Sequence, residues 1–325
     1  MTLSRWLIAL AVVAAMALPS QAQNPSGKPL KKLLLVTDSG GFIHGSVGDA
    51  EKIMKKIGPD YGFEVDCLRF TREPDVKIKA TRTVLDKDGK PMKGADGKEV
   101  KEAYETTVLG EYADRFRKTT GVPVEKEHTG RVNAELLKKY DLVLFFTTGN
   151  PLNEQEVNDL VAWVKAGGAV AGTHCGSDTL YPSKDRPWNI GYGELIGAYF
   201  DGHPWHQKIK VKVEDVAHAA GKGFTSGDEV TDEIYQFRPE PYSRNKLHII
   251  LSVDNSSIDV AKGKRPDKDY AIAWCQEVGK GRTFYTSLGH RKEVWEDKRF
   301  QTHLFGGLNW AVKNAEGSAA PSTTK

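Results

Sequence analysis

Three short runs of unbroken apolar residues constrain this chain more than any other feature. Leu33-Leu34-Leu35-Val36, Leu142-Val143-Leu144-Phe145-Phe146 and Ala169-Val170-Ala171 show none of the polar alternation of a half-solvated strand. A strand built from such a run must be covered on both faces, which is the situation of a parallel sheet with helices on either side. The intervening segments supply those helices. Val47, Ala50, Ile53, Met54 and Ile57 repeat at helical spacing after the first run, and Phe63 to Leu68 reads as the next strand, completing a βαβ unit. In a second unit Asn153 caps a helix bearing Val157, Leu160, Val161 and Val164, which Gly167-Gly168 terminates.

The later part of the chain changes pattern. Ile209, Val211 and Val213 alternate with lysines, followed by strand-like segments at His248–Val253, Ala271–Trp274 and Arg282–Ser287, the last after the turn Gly279-Lys280-Gly281. A closing helix carries Leu304, Leu308, Trp310 and Ala311. Together these segments predict one α/β domain over 31–314. Within it, residues 71–130 hold 25 charged residues and the turn signals Asp88-Gly89 and Asp96-Gly97, which reads as a charged insertion on the surface. Asp86-Lys87-Asp88-Gly89 is no calcium loop, because Lys90 and Pro91 stand where an EF-hand needs a ligand and a glycine.

At the N-terminus Arg5 precedes the apolar stretch Trp6–Leu18, Pro19 breaks it, and Ser20-Gln21-Ala22 offers small residues to a signal peptidase. The expectation is a signal peptide over 1–22, a linker over 23–30, a polar tail over 315–325, and a periplasmic or secreted protein with no stable membrane span after cleavage. An uncleaved anchor is the alternative. With 46 Lys and Arg against 43 Asp and Glu, the chain lacks the basic excess of a nucleic-acid binder. Its expected partner is a small molecule. Cys67, Cys175 and Cys275 are odd in number and far apart, so no disulfide framework or thiolate metal cluster can be read from them.

Histidine carries the chemical signal. His44 follows the first strand in Gly40-Gly41-Phe42-Ile43-His44-Gly45, His174 follows the strand ending at Gly172, and His290 follows Ser287-Leu288-Gly289. Ligands of open α/β sheets bind beyond the carboxyl ends of the strands, so these three rings are expected to converge on one crevice. The stretch Gly202-His203-Pro204-Trp205-His206 adds two imidazoles and a ring that could stack on a sugar, or is an ordinary surface loop. Asp232-Glu233-Ile234-Tyr235 adds two carboxylates and a phenol; one carboxylate could orient a histidine, or the segment is a solvated acidic turn. Neither a dinucleotide fingerprint nor a P-loop is present in Ser39-Gly40-Gly41 and its surroundings.

Several of these motifs occur together in a recognisable order: Gly172-Thr173-His174, Gly197-Ala198-Tyr199-Phe200 with Gly202-His203-Pro204, Asp232-Glu233-Ile234-Tyr235, Gly279-Lys280-Gly281-Arg282, Ser287-Leu288-Gly289-His290 and Asn309-Trp310-Ala311. The set resembles the trehalose-utilisation, ThuA-like family over about residues 31–314. The resemblance implies a class I glutamine amidotransferase-like fold, a flavodoxin-like three-layer sandwich with a mostly parallel central sheet. It also implies a link to carbohydrate metabolism, where family members are associated with trehalose, sucrose and 3-keto-glycosides. In amidotransferases of this fold the nucleophilic cysteine occupies a strand-to-helix elbow. Here the matching position is His174 with Cys175 one residue later, which argues against a glutaminase and for acid/base chemistry.

The expected enzyme is therefore a hydrolase, lyase or isomerase acting on a glycoside or ketosugar, with His174 and His290 as acid and base and Glu233 assisting. His44, Tyr181, Tyr199, His203, Trp205, Asp232 and Tyr235 would bind the sugar. The alternative is a non-catalytic sugar-binding or accessory protein that keeps the fold. A divalent metal such as zinc is a further expectation, drawing its ligands from His44, His203 and His206 with His290 and Glu233 nearby, since imidazole and carboxylate suit such an ion.

Overall fold

The computed structural model describes residues 29–323. The expected signal peptide and nearly all of the 23–30 linker lie outside the described residues, as do the last two residues of the tail. The elements run in the order β1 (Lys31–Val36), α1 (Val47–Ile57), β2 (Phe63–Leu68), β3 (Lys77–Thr83), β4 (Lys101–Thr107), α2 (Val108–Thr120), α3 (Ala134–Leu137), β5 (Leu142–Phe145), α4 (Glu154–Ala166) and β6 (Ala169–Thr173). There follow α5 (Ile190–Ile196), β7 (Trp205–Val213), β8 (Glu229–Ile234), β9 (His248–Val253), β10 (Ala271–Val278), β11 (Gly281–Thr286), α6 (Lys292–Glu296) and α7 (Lys298–Ala311).

Nine strands form one sheet in the order β2-β1-β5-β6-β11-β10-β9-β7-β8. The pairs from β2 through β11 are parallel, and those from β11 through β8 are antiparallel. Seven strands thus point one way, and β10 and β7 oppose them. The apolar runs explain the layering, because successive residues of a strand face opposite sides. Leu33 and Leu35 enter a core with Ala50 and Met54 of α1, Phe116 of α2 and Leu304 of α7. Leu34 and Val36 enter a second core with Leu160 of α4 and Ile196 of α5. The result is the expected three-layer α/β sandwich. Asn153 closes a capping box with Glu156 at the start of α4, and Gly167 ends that helix at φ +127°, where a side chain would be strained.

The surface expectation for 71–130 holds only in part of that stretch. β3 and β4 form a separate antiparallel hairpin with mostly exposed side chains, but α2 buries Tyr112 and Phe116 completely. Charge density marks the hairpin and conceals the helix, whose apolar residues lie one turn apart on a single face.

Two features of topology deliver side chains to one edge. β1, β6, β11 and β8 all end there, and β7, which runs the opposite way, begins there. β7 pairs with β9 through Val211–Val213 and with β8 through Trp205–Lys210, so its first half carries β8 past the body of the sheet. In that ladder His206 lies opposite Glu233.

Candidate functional site

β6 ends at Thr173, and His174 opens a tight 3-10 turn with φ +42°, a left-handed conformation that is sterically costly for any residue with a Cβ. This is the strand-to-helix elbow, and its occupant is fully buried. The His174 Nδ1–H donates to the Ser287 carbonyl at 3.0 Å; a carbonyl only accepts, so the proton sits on Nδ1 and Nε2 carries a lone pair in the neutral ring. That lone pair faces His44 Nε2 at 3.3 Å, His290 Nδ1 at 3.3 Å, the Tyr235 hydroxyl at 3.0 Å and Glu233 Oε2 at 3.5 Å.

His290 arrives from β11 through a loop that is fixed at both sides of the ring. Gly289 adopts φ +124°, its N–H donates to Asp232 Oδ2 at 2.8 Å, and its carbonyl accepts from Ser46 Oγ and Trp295 Nε1. The Arg291 N–H donates to the other oxygen of Asp232 at 3.0 Å. Asp232 is fully buried and holds the loop; it does not face the crevice. His290 Nδ1 lies 3.2 Å from Glu233 Oε2, and its side chain is 25% exposed. The second Glu233 oxygen is 3.5 Å from His203 Nδ1, whose side chain is 52% exposed. His206, also exposed, has its ring 5.0 Å from that of His290.

The electrostatics follow from burial and mutual proximity. Desolvation, reinforced by the neighbouring His174 and His290, pushes His44 down to about 2, so this ring is neutral in the folded protein. Burial opposes ionisation of Glu233, but the adjacent His174 and His290 rings hold its carboxyl well below the usual range. The hydrogen bond to Glu233, partly opposed by burial, raises His290. Burial raises Asp232 despite its backbone donors. Four groups, His44, His174, Glu233 and His290, bring one donor atom each within 4.8 Å of one another, a mostly buried set that could hold a metal ion, unlike the more exposed Glu125, Glu127 and His128. The ligand set expected from sequence, His44 with His203 and His206, is therefore corrected: the buried His174 and the half-buried His290 join His44 and Glu233, while the exposed His203 and His206 lie at the rim.

Other expectations are corrected too. Trp205 offers no face to a sugar, because it is 1% exposed, meets Tyr270 edge to face and donates from Nε1 to the Asp259 carbonyl. As the first residue of β7 it points inward while His206 points out. Tyr199 is 2% exposed and its hydroxyl donates to the Asn189 carbonyl, while its ring stacks on Tyr181. Tyr181 is half-buried beneath the Arg238 guanidinium, with its hydroxyl on the Phe200 carbonyl. Tyr235 does join the cluster. Ser287 and Gly289, which the sequence marks only as members of the Ser287-Leu288-Gly289-His290 motif, hold the His174 ring and the His290 loop in place.

Cys175 is fully buried and burial pushes its thiol well above the usual range, so it is a packed residue and no nucleophile. All three cysteines are free and buried. A cavity of about 410 Å³ opens beside His290 and His206 over Ser46 and Asp49, whereas a larger one of about 760 Å³, lined by Arg244, His248 and Ser322, includes none of the clustered histidines. Convergent chemistry, not volume, marks the site.

A family model described as ThuA, trehalose utilisation, matches residues 32–311. The chain belongs to the ThuA family. Two solved structures share its fold. A ThuA-like protein from Bacteroides uniformis is 17% identical, with a TM-score of 0.54, covering 89% of this chain and 94% of its own. Another, from Parabacteroides merdae, is 16% identical with a TM-score of 0.54, covering 89% and 93%. No curated protein matches the chain. Among the described residues of this ThuA-family protein, no helix is long and apolar enough to cross a membrane.

Proposed function

We propose that this ThuA-family protein is an exported enzyme that moves a proton to or from a glycoside or 3-keto-glycoside held over the histidine cluster. The observation that carries the reading is the convergence of Glu233 with His44, His174, His203 and His290 at the edge where the parallel strands end. His174 and His44 are buried behind the site, so the rings that can meet a sugar are His290, His203 and His206.

His290 is the acid/base residue in this reading. With Nδ1–H donated to Glu233, the lone pair of a neutral ring sits on Nε2, toward the open side. A C–H beside a keto group could lose its proton to that nitrogen; the electron pair passes into the carbonyl as an enolate, and the imidazolium returns the proton to carbon, or to the leaving oxygen where a glycosidic bond breaks. Glu233 orients the ring and offsets its positive charge.

The test is incubation of the full protein with disaccharides and their 3-keto forms, followed by product analysis. His290→Ala should lower kcat/KM by about 10²–10⁴-fold, the usual scale of general acid/base catalysis. Sugar that binds saturably but is recovered unchanged would replace this reading with the non-catalytic one. Turnover undiminished in His290→Ala and His174→Ala would remove the mechanism. Mass spectrometry of the protein recovered from the cell envelope should find a new N-terminus following Ala22; an intact Met1 would refute export by cleavage.

A further inference from the structure

We infer that His44 Nε2, His174 Nε2, His290 Nδ1 and Glu233 Oε2 form a binding site for one divalent transition-metal ion, of which zinc is the default. The inference deepens the functional reading and rests on it only for the ion's role with a sugar. The case for the ion itself is geometric.

The nitrogen of His174 that faces the cluster has one lone pair and no proton, because Nδ1–H is committed to the Ser287 carbonyl. Three potential donors, His44 Nε2, His290 Nδ1 and the Tyr235 hydroxyl, all approach this single lone pair within 3.3 Å. One lone pair serves one strong hydrogen bond. A cation serves several lone pairs at once.

The spacing agrees. Donors at about 2.0–2.2 Å from a tetrahedral ion lie about 3.3–3.6 Å from one another. Four of the six separations lie near that range, 3.3 Å for His174 to His44, 3.3 Å for His174 to His290, 3.5 Å for His174 to Glu233 and 3.2 Å for His290 to Glu233, and all six lie within 4.8 Å, so an ion would have to draw His44 closer to the carboxylate. The chemistry agrees as well, since imidazoles with one carboxylate suit zinc and its neighbours better than calcium or magnesium. The outer support is present at the central ligand: a ligating histidine usually donates its far N–H to a carbonyl, as His174 does to Ser287, whereas His44 Nδ1 has no such partner.

Strain gives a separate reason. His174 is held at φ +42°, a conformation that glycine or asparagine would adopt at less cost. Only an imidazole there places a donor atom at the centre of the cluster. The exposed side of the site faces His203 and His206, leaving room for a sugar oxygen. In the loaded form Glu233 and His290 Nδ1 would turn to the ion, and proton exchange with the substrate would pass from His290 to the rim histidines His203 and His206. The ion would polarise a keto oxygen and acidify the adjacent C–H.

The experiment uses full-length protein without a histidine tag, stripped with chelator, dialysed, and titrated with zinc alone, then separately with cobalt. One equivalent per chain by calorimetry and elemental analysis, with cobalt giving the visible bands of a four- or five-coordinate nitrogen and oxygen site, supports the inference. Glu233→Gln and His44→Gln should each weaken zinc binding by at least about 10–100-fold, the loss that even outer-shell changes produce. Circular dichroism separates this result from unfolding, and His203→Ala, which leaves the four donors in place, should still bind one equivalent. Less than about a tenth of an equivalent after loading, or full binding in both ligand variants, overturns it. Undiminished sugar turnover by metal-free protein would overturn the ion's role with the sugar and leave the functional reading standing. Stoichiometric metal with no sugar consumed would support the site and refute that reading.

Discussion

His303 offers the cleanest measurement of how the fold supports the crevice. It is fully buried on α7, with Nδ1 on the Ala220 carbonyl at 2.6 Å and Nε2 against Thr286 Oγ1 at 3.0 Å, at the end of the strand that delivers Ser287 and His290. Burial pushes it down to about 4, opposed only by the Ala220 carbonyl. The unfolded chain titrates near about 6.5, so as pH falls the unfolded state takes the proton first. Stability supplied by the neutral ring is therefore complete above about 6.5 and is lost as pH drops toward 4. At pH 5 the loss is about 1.5 pH units at about 1.4 kcal/mol each, or about 2 kcal/mol. His303→Gln removes the titration. Urea unfolding at pH 7 and pH 5 should show that the drop in stability between them is about 2 kcal/mol smaller in the variant than in the parent. His44 titrates in the same direction and His290 in the opposite one, but both cancel in this comparison. A variant whose drop matches the parent's within about 0.5 kcal/mol would refute the assignment of a depressed His303.

The loop carrying His290 gives two further expectations. Asp232→Asn leaves one of the Gly289 and Arg291 N–H groups without its acceptor; with charge-assisted bonds worth about 1.5–3 kcal/mol each and burial of the charge offsetting part of that, a loss of about 2–4 kcal/mol is expected in urea unfolding. Hydrogen exchange at both amides should accelerate with it, and unchanged protection would show that the carboxylate does not hold the loop. Gly289→Ala places a methyl group 3.1 Å from Thr173 Oγ1 at φ +124°, so it should cost about 1–3 kcal/mol and lower turnover more than it lowers sugar affinity; equal losses in both would point to a general disturbance. Cys175→Ala should keep turnover within about threefold and the parent thiol should resist alkylation until the protein unfolds, whereas abolished turnover would restore a nucleophilic role.

The sheet was legible because burial on both faces leaves a direct mark on composition. The runs Leu33–Val36, Leu142–Phe146 and Ala169–Gly172 fall on the strands Lys31–Val36, Leu142–Phe145 and Ala169–Thr173, and the rule that ligands gather beyond strand ends placed His44, His174 and His290 together. Antiparallel register was not legible. Nothing local to Trp205-His206 or Asp232-Glu233 says that His206 stands opposite Glu233, and that single pairing decides which side chains of both segments face the cluster. A one-residue shift would put Trp205 in the crevice and His206 in the core, which is the form in which the segment reads when taken as a loop. Similarly, the charge of 71–130 hid Tyr112 and Phe116, because two aromatic residues four apart suffice to bury a helix whose other faces are solvated.

The histidine at the elbow links these threads. A left-handed residue with a side chain costs on the order of 1–3 kcal/mol, and such strain persists only where surrounding contacts enforce it. Here the contacts are identifiable: Nδ1–H is committed to Ser287, the Tyr285 hydroxyl donates to the His174 carbonyl at 2.6 Å, and Tyr235 closes over Nε2. Tyr285 lies on β11 and Tyr235 just past β8, so two strands, one on each side of β10, β9 and β7 in the sheet order, act on one residue. The same elbow that would present a cysteine thiol outward for covalent chemistry instead turns an imidazole inward toward three other donors. The fold's sharpest bend thus sets a group in a buried polar cluster, and the chemistry passes from the elbow to the rings at its rim.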